Sequence, residues 1–265
     1  MTTLTDAAVT VLQSAAPAEK VRRSRAFAAD WREGRLRELG AARPPDRPAR
    51  PARPELRPPG EMPRRRLGGG VKGRVALLHA LAHIELNAID LAWDIVARFA
   101  GEDLPRGFYD DWVRVAEEEA KHHDLLARRL AALEASYGDL PAHDGLWQAA
   151  TETAHDLLAR LAVVPLVLEA RGLDVTPAMI ERLRTAGDAD SAAVLQVIYD
   201  EEIGHVAAGK RWFDFLCARR GLDPVSAWQD LVRRHFKGRL KPPFNERGRS
   251  AAGFSAAYYA PLADG

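Results

Sequence analysis

The chain has 265 residues, nearly half of them apolar, and a formal net charge of +1. That length holds one large domain with extensions or two small ones, and the near-neutral balance argues neither for nor against a nucleic-acid partner. No uninterrupted apolar run of about 20 residues marks a membrane span, and the N-terminal residues lack the basic start and apolar core of a secretory signal. The single cysteine, Cys217, rules out an internal disulfide and a thiolate metal site. A cytoplasmic protein is the expectation.

Residues 5–40 are helix-compatible and polar, with Trp31 and Leu36 among their few large apolar groups. From Ala41 to Gly70 the composition changes: prolines at 44, 45, 48, 51, 54, 58, 59 and 63 exclude a regular helix. Arginines at 43, 47, 50, 53, 57 and 64–66 are interleaved with them, which reads as an extended arm ending in a Gly68-Gly69-Gly70 hinge. The arm lacks aromatic residues for base stacking, so a solvated linker or a strap across an acidic bundle surface is expected rather than an RNA-binding element.

Beyond the hinge, Val75, Leu78, Ala82, Leu86, Ile89 and Trp93 recur at helical steps. A helix is expected from about Lys72 to Ala100, stopping at Gly101. A second is expected from Asp110 or Asp111 to Tyr137, and a third from after Asp144 to Arg171, kinked at Pro165 and ended by Gly172. Thr176-Pro177 signals a short helix ending near Gly187. A fourth long helix runs from about Asp190 to Arg220, with Gly221 as its stop, and Asp223-Pro224 opens one more, to about Phe236. The tail from Lys237 is expected to be irregular but ordered, because it carries Phe244, Phe254, Tyr258 and Tyr259; these aromatics could close one end of a bundle and line a pocket. There is no clear strand signal.

Two copies of Glu-x-x-His carry the chemistry. Glu119 and His122 form the first, Glu202 and His205 the second, and each is preceded by a lone Glu in an apolar helical run, Glu85 and Glu169. Residues three apart on a helix are about 60° apart around the axis and roughly 4.5 Å along it, so each Glu-x-x-His presents oxygen and nitrogen to one point. The order Glu, Glu-x-x-His, Glu, Glu-x-x-His is the ligand set of a carboxylate-bridged dinuclear site in a four-helix bundle. The halves repeat: Glu85 to Glu169 is 84 positions, and Glu119 to Glu202 and His122 to His205 are each 83. Carboxylates bridge two cations and imidazole adds a nitrogen, which suits two iron ions, or an Mn/Fe or Mn/Mn pair. Ionised carboxylates in such apolar surroundings would cost several kcal/mol unless compensated.

A single Glu-x-x-His is weak evidence. Glu152 and His155 also fit the pattern, on the third helix, where no partner motif arises. His155 lies 14 residues from Glu169, about 21 Å along a helix, so it reads as helix surface or bundle end. Candidates to orient the ligands are Asp90 and Asp174, each five residues after the lone Glu, and Glu118 and Glu201, which also match across the repeat. Asp174 could equally be a helix-end residue. His83 and His123 are rotated off the metal-facing side, and Tyr199, one turn before Glu202, is either core filling or a redox or hydrogen-bonding group at the metals.

These residues resemble the ferritin-like superfamily of di-iron carboxylate proteins. More closely, the chain resembles a bacterial family catalogued as domain of unknown function 455. That resemblance is carried by His79-Ala80-Leu81-Ala82-His83-Ile84-Glu85-Leu86-Asn87-Ala88-Ile89-Asp90-Leu91-Ala92, Glu169-Ala170-Arg171-Gly172-Leu173-Asp174-Val175-Thr176-Pro177, Tyr199-Asp200-Glu201-Glu202-Ile203-Gly204-His205 and Lys241-Pro242-Pro243-Phe244-Asn245. It implies an all-α, ferritin-like four-helix bundle over residues 71–222. An N-terminal helical segment and Pro/Arg-rich arm (1–70) would precede it, and a C-terminal helix and packed tail (223–265) would follow. A more distant similarity, confined to the metal motif, is to the di-iron tRNA hydroxylase; nothing carries over its RNA recognition.

The expected function is an oxygen-activating hydroxylase or oxidase that uses molecular oxygen or peroxide, an organic substrate and an electron-donor protein. The alternatives are an iron-handling ferroxidase or peroxide scavenger, and a non-catalytic bundle that binds a partner through the arm. The second ligand histidine, His205, and long arms at both ends speak against a storage cage.

Overall fold

The computed structural model describes residues 2–58, 61, 62 and 70–263, and the protein is all-α. Among the described residues the extended pairing is one isolated parallel bridge between Leu56 and Ala142. The chain forms two units, Met1–Trp147 and Gln148–Gly265.

In the first unit, α1 (Leu4–Leu12) opens with a capping box between Thr3 and Asp6, and α2 (Pro17–Arg32) starts with proline in its first turn, where the missing N–H costs nothing. Two long helices follow, α3 (Val71–Arg98) and α4 (Arg106–Ala132). They pack against one another, with α1 on α3 and α2 on α4. Ser24 of α2 ties this arrangement together, accepting from the Trp93 indole at 2.8 Å and donating to the Ala116 carbonyl at 2.9 Å. α3 is long and apolar enough to cross a membrane by length and composition, yet more than three quarters of its most apolar stretch is buried within the structure.

The sequence expectation for α4 is displaced at both ends. The helix begins four residues before Asp110, behind Pro105, because Phe108, Tyr109 and Trp112 are all buried and draw that first turn into the core. It stops at Ala132, short of Tyr137, and the chain then turns through Glu134 with a left-handed φ of 57°.

The Pro/Arg arm is a strap on this unit. Ala49 N–H donates to the Leu12 carbonyl and Arg57 N–H to the Ala142 carbonyl, each at 2.8 Å. Arg47 pairs with Asp144, and Arg50 reaches Asp90 and Asn87 on α3. Gly70 sits at the N-cap of α3; Gly68, Gly69, Pro59, Pro63 and Arg64 to Arg66 lie outside the described residues.

The expected third helix is broken. α5 (Gly145–Glu152), which carries the division between the units, ends before Thr153, and Asp156 caps a new helix, α6 (Leu157–Val163), accepting from the Leu158 and Ala159 amides. The fully buried Arg160 holds the corner: it donates to the Ala150 carbonyl at 2.6 Å and to Thr153 Oγ1 at 2.9 Å. At Pro165 the helix widens into a π-helical turn, Val164–Glu169, whose signature is the Ala170 N–H bonded to the Pro165 carbonyl five residues back.

A single helix, α7 (Ala170–Thr185), then runs through Gly172 and Thr176-Pro177, where a stop and a fresh start are expected from sequence. Leu173, Thr176, Ile180 and Leu183 form one buried stripe on it, and burying that stripe outweighs the local penalties of glycine and proline. α8 (Ala189–Arg220) is capped by Asp188 and ends at Gly221, whose φ of 65° is the left-handed stop read from the sequence. α9 (Pro224–His235) is capped by Asp223.

The tail is ordered and packed as expected, though two short helices, α10 (Glu246–Ala251) and α11 (Ala256–Tyr259), replace the irregular chain. Its aromatics cluster on Trp228 and around the buried Arg249. The Arg249 guanidinium lies 4.3 Å from the Tyr259 ring centroid and 4.9 Å from that of Phe244.

Candidate metal centre

Each unit presents a carboxylate–imidazole set. In the first unit, Glu85 projects from the middle of α3 and Glu119 and His122 from α4. All three are buried, and each places one ligand atom within 4.8 Å of the others. His122 Nδ1 lies 3.4 Å from Glu119 Oε2 and 3.5 Å from Glu85 Oε2. In the second unit, His205 Nδ1 lies 3.5 Å from Glu202 Oε1 on α8, with His205 fully buried. Glu169, half-buried, closes the π-helical turn that packs on α8.

Gly209 makes that packing possible. A Cβ built there would lie 2.4 Å from Pro165 Cβ, so the proline ring occupies the space a side chain would take. Glu169 is the last residue of that turn, so the π-helical register sets its position on the helix.

The electrostatics of the first set favour a cation. Burial, with the Glu119 carboxylate beside it, pushes the Glu85 carboxyl well above the usual carboxylate range, against the opposing pull of His122. A buried acid in that position keeps a proton until a metal displaces it. Two carboxylates and an imidazole converging in a dry setting are also the donors that iron and manganese accept. The residues present therefore fit such ions.

Of the residues expected to orient the ligands, Asp90 and Asp174 are held by cations from other segments. Asp90 is fully buried and accepts from Lys20 Nζ at 2.5 Å and from Arg50, not from a histidine ring. Asp174 takes a bidentate pair from Arg249, at 2.8 and 2.7 Å, plus the Asn245 amide at 2.9 Å. Glu118 accepts from Arg114 on its own helix, and Glu201 is half-buried on α8. The Tyr199 hydroxyl accepts from Asn245 Nδ2 at 2.8 Å, which ties α8 to the start of α10.

Sequence reasoning missed Tyr137. Its hydroxyl lies 2.9 Å from His83 Nδ1, and its ring stacks on His79 and meets His123 edge-on. His83 Nε2 faces the His143 carbonyl at 3.0 Å, and Asn87 links His83 to Arg50 of the arm. Burial lowers the His83 pKa to about 4, so the ring is neutral at ordinary pH. The paired histidines of α3 were visible in the sequence. Their partner, 54 positions away in a loop, had no periodic signal.

A family model described as "Protein of unknown function (DUF455)" matches residues 13–260. An uncharacterized protein of Haemophilus influenzae (strain ATCC 51907 / DSM 11121 / KW20 / Rd) is 42% identical over 210 residues, covering 77% of this chain and 73% of that protein. No solved structure matches the chain.

Proposed function

This chain belongs to the DUF455 family, and on that footing we propose that it is a non-haem di-iron or manganese–iron oxidoreductase, an oxygen-activating hydroxylase or oxidase on a ferritin-like bundle. The observation that carries the reading is the buried meeting of Glu85, Glu119 and His122. Three donors leave two metals under-coordinated. The repeat at 83 to 84 positions offers a matching set in the second unit, Glu169, Glu202 and His205.

Bound iron would supply the electrons and open positions that reduction of oxygen or peroxide requires, with an organic substrate oxidised and a donor protein restoring the electrons. The chain's own part is to give up protons and exclude water. Glu85, whose carboxyl burial holds well above the usual range, would give up a proton as it came to hold the metal together with Glu119. His122 and His205 would supply the nitrogen ligands. Leu86 and Ile89 in the first unit, and Leu166 and Val167 in the second, are buried residues near the carboxylates in sequence that would help to exclude bulk water from them.

The experiment is metal analysis with anomalous scattering on aerobically grown crystals, together with oxygen uptake by reduced, iron-loaded protein given an electron donor. Two metals per chain and repeated oxygen turnover are expected. Protein that binds neither iron nor manganese would sink the proposal. Stoichiometric ferrous oxidation into a hollow oligomer would replace it with iron handling.

A further inference from the structure

The Glu152-x-x-His155 motif, which stands outside the repeat, has a partner in the fold. The His155 ring sits 5.4 Å, centroid to centroid, from the ring of His235 at the C-terminal end of α9, with 48° between the planes. Both belong to the second unit. His155 is exposed and His235 half-buried, and among the described residues neither ring makes a hydrogen bond. Glu152, three positions before His155, is engaged by Lys237, two positions after His235, at 2.6 Å. The motif and the end of α9 therefore meet twice, once through imidazoles and once through a carboxylate.

From this geometry we propose a second metal site, separate from the buried carboxylate sets, in which His155 and His235 chelate one zinc-class divalent ion (zinc, nickel or copper) and Glu152 completes the protein's share once released from Lys237. The spacing supports it. A nitrogen lies about 2.0–2.1 Å from such an ion, which puts each ring centroid about 3.2 Å away; two rings at a tetrahedral angle are then about 5.2 Å apart. Two nitrogens and one carboxylate on a wet surface favour these ions over iron, whose natural place in this chain is the oxygen-rich buried set. The ion would clip the α5–α6 corner to the end of α9, elements 80 residues apart in sequence.

The test is zinc titration of the full chain by calorimetry, repeated on His155→Ala, His235→Ala and Lys237→Ala, with circular dichroism to confirm the fold. Both histidines are accessible, so their removal leaves the core intact. A zinc equivalent whose affinity falls at least about tenfold in either histidine variant, and rises in Lys237→Ala as Glu152 is freed, is expected. The same titration on Glu119→Gln keeps that equivalent. Histidine variants that bind zinc with wild-type stoichiometry and affinity overturn the proposal, as does loss of the equivalent in Glu119→Gln alone.

Discussion

Lys20 donates to Asp90 at 2.5 Å with both side chains completely buried, and the bond joins α2 to the helix that carries Glu85. Burial lowers the lysine pKa and raises that of the aspartate, each opposed by its partner. The same position of the second repeat half, Asp174, is held by the buried Arg249. In each unit, then, an extension outside the repeat sends a cation to the aspartate five residues beyond the lone Glu.

Removing one partner strands the other. Asp90→Ala leaves Lys20 and the adjoining Arg50 without their shared carboxylate and is expected to cost about 3–5 kcal/mol, whereas the double variant Lys20→Met/Asp90→Leu recovers part of the loss, the remainder being the Arg50 guanidinium that still faces the site. Urea denaturation of the three proteins measures this. A single variant as stable as wild type would mean that water reaches the pair.

The metal reading makes a sharper demand. Glu85→Ala, Glu119→Ala and His122→Ala, and by the repeat Glu169→Ala, Glu202→Ala and His205→Ala, should each reduce co-purifying iron or manganese to below about a tenth of wild type. Each should retain its helical signal. Loss confined to the first three would leave the second half-set without a metal role.

The sequence shows the long helices and the repeated Glu and Glu-x-x-His positions on them because both rest on local rules: apolar periodicity, Asp223 opening α9, Gly221 as a stop. It misplaces the region from Gly145 to Thr185. There, tertiary burial of Leu173, Ile180 and Leu183 overrides Gly172 and Pro177, and the response to Pro165 depends on Gly209 some forty residues later. The partners of Asp90 and Asp174 were illegible for a similar reason. Lys20, Arg50 and Arg249 come from segments whose periodicity says nothing about where they dock.

Gly209 can be tested directly. Gly209→Ala puts a methyl group where Pro165 sits, and the ring belongs to a buried turn with little room to move. A loss of about 1–3 kcal/mol is expected, with metal retention reduced because the displaced turn carries Glu169. Pro165→Gly, which removes both the Cβ and the Cγ in contact, should couple favourably with Gly209→Ala, the double variant losing less than the sum of the two single losses. A single variant with unchanged melting temperature and metal content would show that the turn yields freely.

The neutral His83 ring sets an acid limit on stability. Its pKa falls from the model-peptide value of 6.5 to about 4 in the folded chain, chiefly through burial and against the His143 carbonyl. The unfolded chain therefore binds the extra proton first. His83 contributes stability that is fully present above pH 6.5 and lost as the pH falls toward 4, with an upper bound of about 3 kcal/mol. Chelator-treated wild type and His83→Gln should diverge most in urea midpoint at neutral pH and converge on acidification, since the variant lacks the titrating ring. Every other group titrates in both proteins and cancels in the difference. Parallel midpoints from pH 7 to pH 4.5 would mean that the ring is protonated in place, with Tyr137 and the His143 carbonyl accommodating the charge.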